Sequence, residues 1–152
     1  MNFFPATNNL PSVLIDTPIW LNYFRKNDHI FQEVNALMDA GRVCSISLII
    51  AELLHTAQDK EKLQIFKDFT RIFPILQEKE GLWVEAALLT YELREKKKRL
   101  SLRDAYLALM AVHHGVLLYS NNKTFLNIPK SFGLKIYKNG EKRRETKKEN
   151  IS

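Results

Sequence analysis

Short apolar runs alternate along this chain with longer stretches in which apolar positions recur every three or four residues. Val13-Leu14-Ile15 follows Pro11-Ser12 and stops at Asp16-Thr17-Pro18, which predicts a buried strand and then a helix start. Thr17 is the expected cap, with Pro18 at the first helical position. Helical spacing runs from Ile19 to Arg25 and again from about Asp28 to Ala40, and Gly41 stands where a helix would end in a left-handed residue. Val43-Cys44-Ser45-Ile46 then predicts a second strand. A strand, a helical crossover and another buried strand form a βαβ unit with parallel strands.

Ser47 to about Ala57, Asp59 to about Phe73 and Gly81 to Arg99 carry helical spacing with no interior Pro. Phe66, Phe69 and Phe73 share one face, which reads as core or as a dimer seam. Ser101-Leu102-Arg103-Asp104 has the form of a capping box opening a helix that runs to Gly115. Val116 to Tyr119 and Leu134 to Tyr137 predict two more short strands. Ile72 to Leu76 is a further candidate, restricted by Pro74 to a sheet edge. This order of elements predicts an α/β fold around a small parallel sheet.

With 152 residues, 45% of them hydrophobic, the chain suits one packed domain. Its single cysteine, Cys44, excludes an internal disulfide and a cysteine-based zinc site, which fits a reducing compartment. Neither a basic start nor an apolar stretch of signal-peptide length opens the sequence, so a cytoplasmic protein that does not enter membranes is expected. Lys plus Arg number 23 against 17 for Asp plus Glu, a formal charge of +6, which favours an anionic partner such as nucleic acid. Half of that excess lies in residues 138–152, a basic segment without hydrophobic pattern, expected to be a disordered, solvated tail or a binding arm. His113 and His114 suit the free carbonyls of a helix end.

Three carboxylates stand in unusual places. Asp16 follows a presumed central strand at the rim where open α/β sheets bind ligands. Glu52 interrupts the apolar helical run Leu48 to Leu54, where an ionised carboxylate needs a partner or a place at the rim. Asp104, taken alone, is explained by the capping box. Brought together, the three would repel one another unless a cation neutralised them, and an all-oxygen set suits Mg²⁺ or Mn²⁺. Such a site beside a basic surface suits phosphodiester hydrolysis by a metal-activated water.

Leu14-Ile15-Asp16-Thr17 with Trp20, Ala51-Glu52-Leu53, and Arg103-Asp104-Ala105-Tyr106-Leu107-Ala108 resemble, in order and spacing, the three main motifs of PIN-domain ribonucleases. They are most similar to the VapC toxins of bacterial toxin–antitoxin pairs. The resemblance runs from about Val13 to Tyr137, leaving residues 1–12 as an N-terminal extension and 138–152 as the tail. It implies a three-layer α/β/α sandwich and a Mg²⁺- or Mn²⁺-dependent endoribonuclease site in which Asp16, Glu52 and Asp104 hold the metal. It further implies a VapB-like antitoxin partner, homodimers, and RNA substrates such as tRNA.

One position departs from the family pattern. Where a fourth acid is usual, Leu118 to Phe125 offers Asn122, or Asn121 if the register slips by one. An amide can supply a carbonyl oxygen or hold a water, but it lowers the negative charge and the attraction for a second cation. Read without the resemblance, the Asn pair is a turn after a strand. Ser120 and Thr17 are candidates for orienting groups around the acids. The alternative to a nuclease is a catalytically weak PIN-like module that binds RNA or a partner protein. The nuclease reading requires the three acids to share a pocket without being locked in ion pairs by arginine or lysine.

Overall fold

The structure, a computed structural model, describes residues 10–138. Residues 1–9 of the expected extension and residues 139–152 of the expected tail lie outside the described residues. In chain order the elements are β1 (Val13–Ile15), α1 (Thr17–Phe24), α2 (Asp28–Asp39), β2 (Val43–Ile46), α3 (Ser47–Thr56), α4 (Lys60–Phe69), β3 (Ile75–Leu76), α5 (Leu82–Glu95), α6 (Leu102–His114) and β4 (Leu117–Tyr119). The four strands form one sheet in the order β3-β2-β1-β4, with every pairing parallel. Val13 faces Val43 on one side and Leu117 on the other, so β1 is central.

Strand order fixes the layers. The chain steps from β1 to β2 to β3 in one direction and then crosses back over the sheet to β4. With right-handed crossovers, α1 to α4 cover one face and the helices between β3 and β4 cover the other. The helix contacts agree: α1 packs on α2 and α3, α3 on α4, and α5 on α6. The result is the expected α/β/α sandwich. Reversal of direction between β1 and β4 also makes a switch point, and the crevice beyond the carboxyl ends of those strands is the place such sheets offer to a ligand.

Val13, Leu14 and Ile15 are fully buried, as a strand covered on both faces requires. Trp20 is buried too, stacked on Phe73 at 5.5 Å and edge-on to Phe69 at 4.8 Å. With Phe66 buried and Phe69 and Phe73 partly buried against the core, the aromatic face contributes to interior packing.

Several element ends differ from expectation. The helix expected to reach Phe73 stops at Phe69, because Pro74 constrains the chain before it and Ile75–Leu76 pairs at the sheet edge. The helix expected to reach Arg99 stops at Glu95, and Lys97 within the following basic run takes a left-handed φ of 58°. Leu134 to Tyr137 is not a full strand. It makes one parallel bridge, Ile136 to Leu118, because a 3₁₀ turn over Lys130–Phe132 and the left-handed Gly133 leave little extended chain before it. Gly41 and Gly115, with φ of 67° and 66°, end α2 and α6 as read from the sequence.

Candidate functional site

Strand β1 ends at Ile15, and the next residue turns into α1. Asp16, not Thr17, is the cap: its Oδ1 accepts the Thr17 N–H at 2.8 Å. Pro18, at the second helical position, has no N–H to offer, so the Asp16 carboxylate takes the N–H of Thr17, and the Thr17 hydroxyl is turned to Glu52 instead of to the helix end. Capping does not exhaust the carboxylate. It is only 2% exposed, and its Oδ2 accepts the Ser120 hydroxyl at 2.7 Å from just beyond β4. The adjacent ends of β1 and β4 therefore place Asp16 and Ser120 together in the switch-point crevice.

Two helices bring the other acids to the same place. From the first turns of α3, Glu52 reaches α1, where its Oε1 accepts the Thr17 hydroxyl at 2.7 Å. Helix α6 starts at the Ser101 cap, whose side-chain oxygen accepts the Asp104 N–H at 3.0 Å. That cap fixes the first turn and turns the Asp104 carboxylate toward the crevice, where its Oδ2 accepts the Asn122 amide at 2.8 Å. Asn122 thus joins the cluster through nitrogen. Its Oδ1 faces the other way and caps the 3₁₀ turn over Lys123–Asn127, accepting from the N–H and hydroxyl of Thr124 at 3.0 and 2.9 Å. The turn reading and the site reading of Asn122 both describe it, but its carbonyl oxygen is not turned toward the acids.

One further side chain stands at the centre. The Arg103 guanidinium donates through Nη2 to Asp16 Oδ1 at 2.7 Å and Glu52 Oε1 at 2.6 Å, through Nε to Glu52 Oε2 at 3.1 Å, and through Nη1 to Asp104 Oδ1 at 2.9 Å. The three acids do converge on one spot, the first of the two conditions of the nuclease reading. The second requirement is not met: an arginine is paired with all three at once. Burial alone would raise the Glu52 pKa, but the hydrogen bonds from Arg103 and Thr17 and the guanidinium charge outweigh it and hold the carboxyl below its ordinary value. For Arg103, burial works against the charge, and the bonds to Glu52, Asp16 and Asp104 more than restore it, so the guanidinium is held firmly protonated. A cleft of about 520 Å³ opens beside the cluster, shares Ser120 and Asn122 with it, and carries Lys123, Tyr119 and Tyr137 on its walls.

Residues 13–131 match the family model described as the PIN domain. The chain belongs to the PIN-domain family. Among relatives, this PIN domain is 26% identical over 126 residues to Ribonuclease VapC1 of Methanocaldococcus jannaschii, covering 82% of this chain and 86% of that protein. Among solved structures it is similar to VapBC of Salmonella typhimurium, solved bound to DNA, with a TM-score of 0.67 and 21% identity over 84% of this chain and 98% of the other. It is likewise similar to VapBC2 of Rickettsia felis, solved with a fragment of its promoter DNA, with a TM-score of 0.66 and 23% identity over 82% and 96% of the two chains. At those identities the two structures speak for the fold.

Whether this PIN domain suits a divalent cation is decided by its donors and by what stands among them. Asp16, Glu52 and Asp104 offer only oxygen, the chemistry Mg²⁺ and Mn²⁺ prefer. As the side chains are placed, no three His, Cys, Asp or Glu among the described residues are grouped to hold one ion. The donor chemistry fits, and the Arg103 guanidinium fills the space between the donors.

Arg103 is the residue that sequence reasoning passed over, as part of a capping box and a motif. A signal was available. A cation in the first turn of a helix opposes the macrodipole, and a residue that breaks a local rule is a candidate for a role elsewhere in the fold. Ser120 and Thr17, named as orienting groups, each donate to a site carboxylate. No helix among the described residues is long and apolar enough to cross a membrane.

Proposed function

We propose that this PIN domain is a Mg²⁺- or Mn²⁺-dependent endoribonuclease, the toxin of a VapBC-type toxin–antitoxin pair acting in the cytoplasm. The observation that carries the reading is the meeting of Asp16, Glu52 and Asp104 at the β1/β4 switch point, within a chain whose curated relative is a ribonuclease, and the reading applies to a state in which Arg103 has released the three acids. Asp16 and Asp104, the more buried two of the three, would hold the cation, with Glu52 completing the set. A cation bound there supplies charge neutralisation at the scissile phosphate and an acidified water.

The protein's own groups do the rest. Ser120 and the Thr17 N–H fix the orientation of Asp16, and Asn122 and the Ser101 cap fix that of Asp104. Glu52, whose side chain is 33% exposed, is the most open of the three acids and so completes the site or helps position the attacking water. The adjoining cleft offers Lys123 and the half-buried Tyr137 ring to a polynucleotide, charge for phosphate and an aromatic surface for a base. The substrate class in this reading is structured RNA such as tRNA. The partners are a VapB-like antitoxin and a second copy of the chain, in keeping with the toxin–antitoxin complexes among its fold relatives.

A second reading is favoured by one observation, the ion pairing of all three acids with Arg103: a PIN-like module that binds RNA or a partner and cuts weakly. The two separate on purified protein. Asp16→Asn and Asp104→Asn should each reduce Mg²⁺-dependent cleavage of a tRNA pool by roughly a hundredfold or more while circular dichroism stays native. Cleavage unchanged in both variants would falsify the metal-nuclease reading, and a wild-type chain that binds RNA without cutting it would establish the second.

A further inference from the structure

We infer that Arg103 is a built-in counter-cation, which competes with a divalent metal ion for Asp16, Glu52 and Asp104 and must swing out before the ion can enter. The inference rests on the metal-dependent reading of the site and adds a residue that gates it.

Charge states the need. Three carboxylates drawn to one crevice repel one another if no cation stands among them. Arg103 prevents that from within the chain. Four of its hydrogen bonds go to the three acids, at 2.6 to 3.1 Å, and it touches both Glu52 oxygens, one of Asp16 and one of Asp104. A hard divalent ion must approach oxygens to about 2.1 Å. An ion bonded to Asp16 Oδ1 and Glu52 Oε1 would press against the Nη2 that now lies 2.7 and 2.6 Å from those same atoms, with charge of the same sign. The two cations exclude each other.

The exchange is open to the chain without unfolding. Arg103 lies in the first turn of α6 beside Leu102, which is 47% exposed, and its own side chain is 26% exposed. Rotation about its side-chain bonds carries the guanidinium to water. The backbone anchors of the acids stay in place, because the Ser101 cap holds Asp104 and the Thr17 N–H holds Asp16 independently of Arg103. Arginine suits this task, since its planar fork satisfies several carboxylates at once and it keeps its charge at any physiological pH.

Two measurements on the full-length chain test the competition directly. Calorimetric titration with Mn²⁺ should show Arg103→Gln binding about ten- to a hundredfold more tightly than wild type, the range expected when charged hydrogen bonds no longer have to be broken, with Arg103→Lys between the two. In wild-type protein the Arg103 Nε–H should give an NMR signal protected from solvent exchange, and Mg²⁺ should abolish that protection over the concentration range in which it binds. Equal or weaker Mn²⁺ binding by a folded Arg103→Gln chain overturns the inference, as does a guanidinium still protected at Mg²⁺ saturation. Should Arg103→Gln fail to fold, the wild-type exchange measurement decides alone. If neither wild type nor variant takes up Mn²⁺, the metal reading of the site falls and the competition with it, an outcome distinct from binding that is indifferent to position 103.

Discussion

Glu52 differs from the other two acids in meeting solvent, with a third of its side chain exposed against 2% for Asp16 and 11% for Asp104. Burial raises its pKa, and the hydrogen bonds from Arg103 and Thr17 with the nearby positive charge lower it further than burial lifts it. A carboxyl whose folded pKa lies below its unfolded value stabilises the fold above the unfolded value, and that contribution disappears as pH falls through the folded one. Wild type should therefore exceed Glu52→Gln in stability at neutral pH, by about 1 kcal/mol or less because the pair is partly exposed. The gap should close as pH drops below the ordinary glutamate value of about 4.3. Denaturant melts at several pH values check this, and a gap that stays constant into the acid range would show that Glu52 gains nothing from its partners. The same residue shows what a sequence can disclose. A lone Glu in an apolar helix announces a requirement for a partner, yet which partner depends on a long side chain arriving from 51 positions away.

Helix α6 concentrates this distinction in a single turn. Ser101 and the apolar positions after it declared a start, and the helix begins there. The same turn carries Arg103 against the dipole and Asp104 along it, and only tertiary contacts explain why the unfavourable residue is kept. Apolar runs and caps were readable because each depends on neighbours in sequence. The end of α4 and the missing strand at Leu134 to Tyr137 were not, because how far Pro74 and the left-handed Gly133 shorten an element depends on what the rest of the sheet leaves room for. Capping also went to Asp16 instead of Thr17, whose hydroxyl is engaged by Glu52 from 35 positions away, a tertiary contact that local sequence does not announce. If the Ser101 cap holds the first turn of α6, Ser101→Ala should cost about 1 kcal/mol, a fall of about 2–4 °C in Tm. Since that turn also sets Asp104, cleavage should fall by more than stability alone accounts for at a temperature where the variant is fully folded. A variant with the expected loss of Tm and wild-type cleavage would separate the cap from the site.

Across the whole molecule, charge is distributed in opposition to the site. The chain carries a formal +6, while its candidate centre sets three carboxylates against one guanidinium. A polynucleotide is thus drawn by the surroundings and repelled by the centre until a cation is bound there, so affinity and cleavage should answer differently to salt. Binding of single-stranded RNA by the Asp104→Asn chain should weaken with rising salt, with a log–log slope of about −2 or steeper, the signature of three or more phosphates neutralised by lysine and arginine. Because residues 138–152 supply half of the excess charge, a chain ending at Tyr137 should show a shallower slope and weaker binding to every RNA alike. The position of the cut should not move, since each acid, Arg103, Ser120 and Asn122 is retained. A cut displaced by the truncation would place substrate selection in the basic segment, and a slope near zero in the full chain would mean that the excess charge has no part in holding RNA.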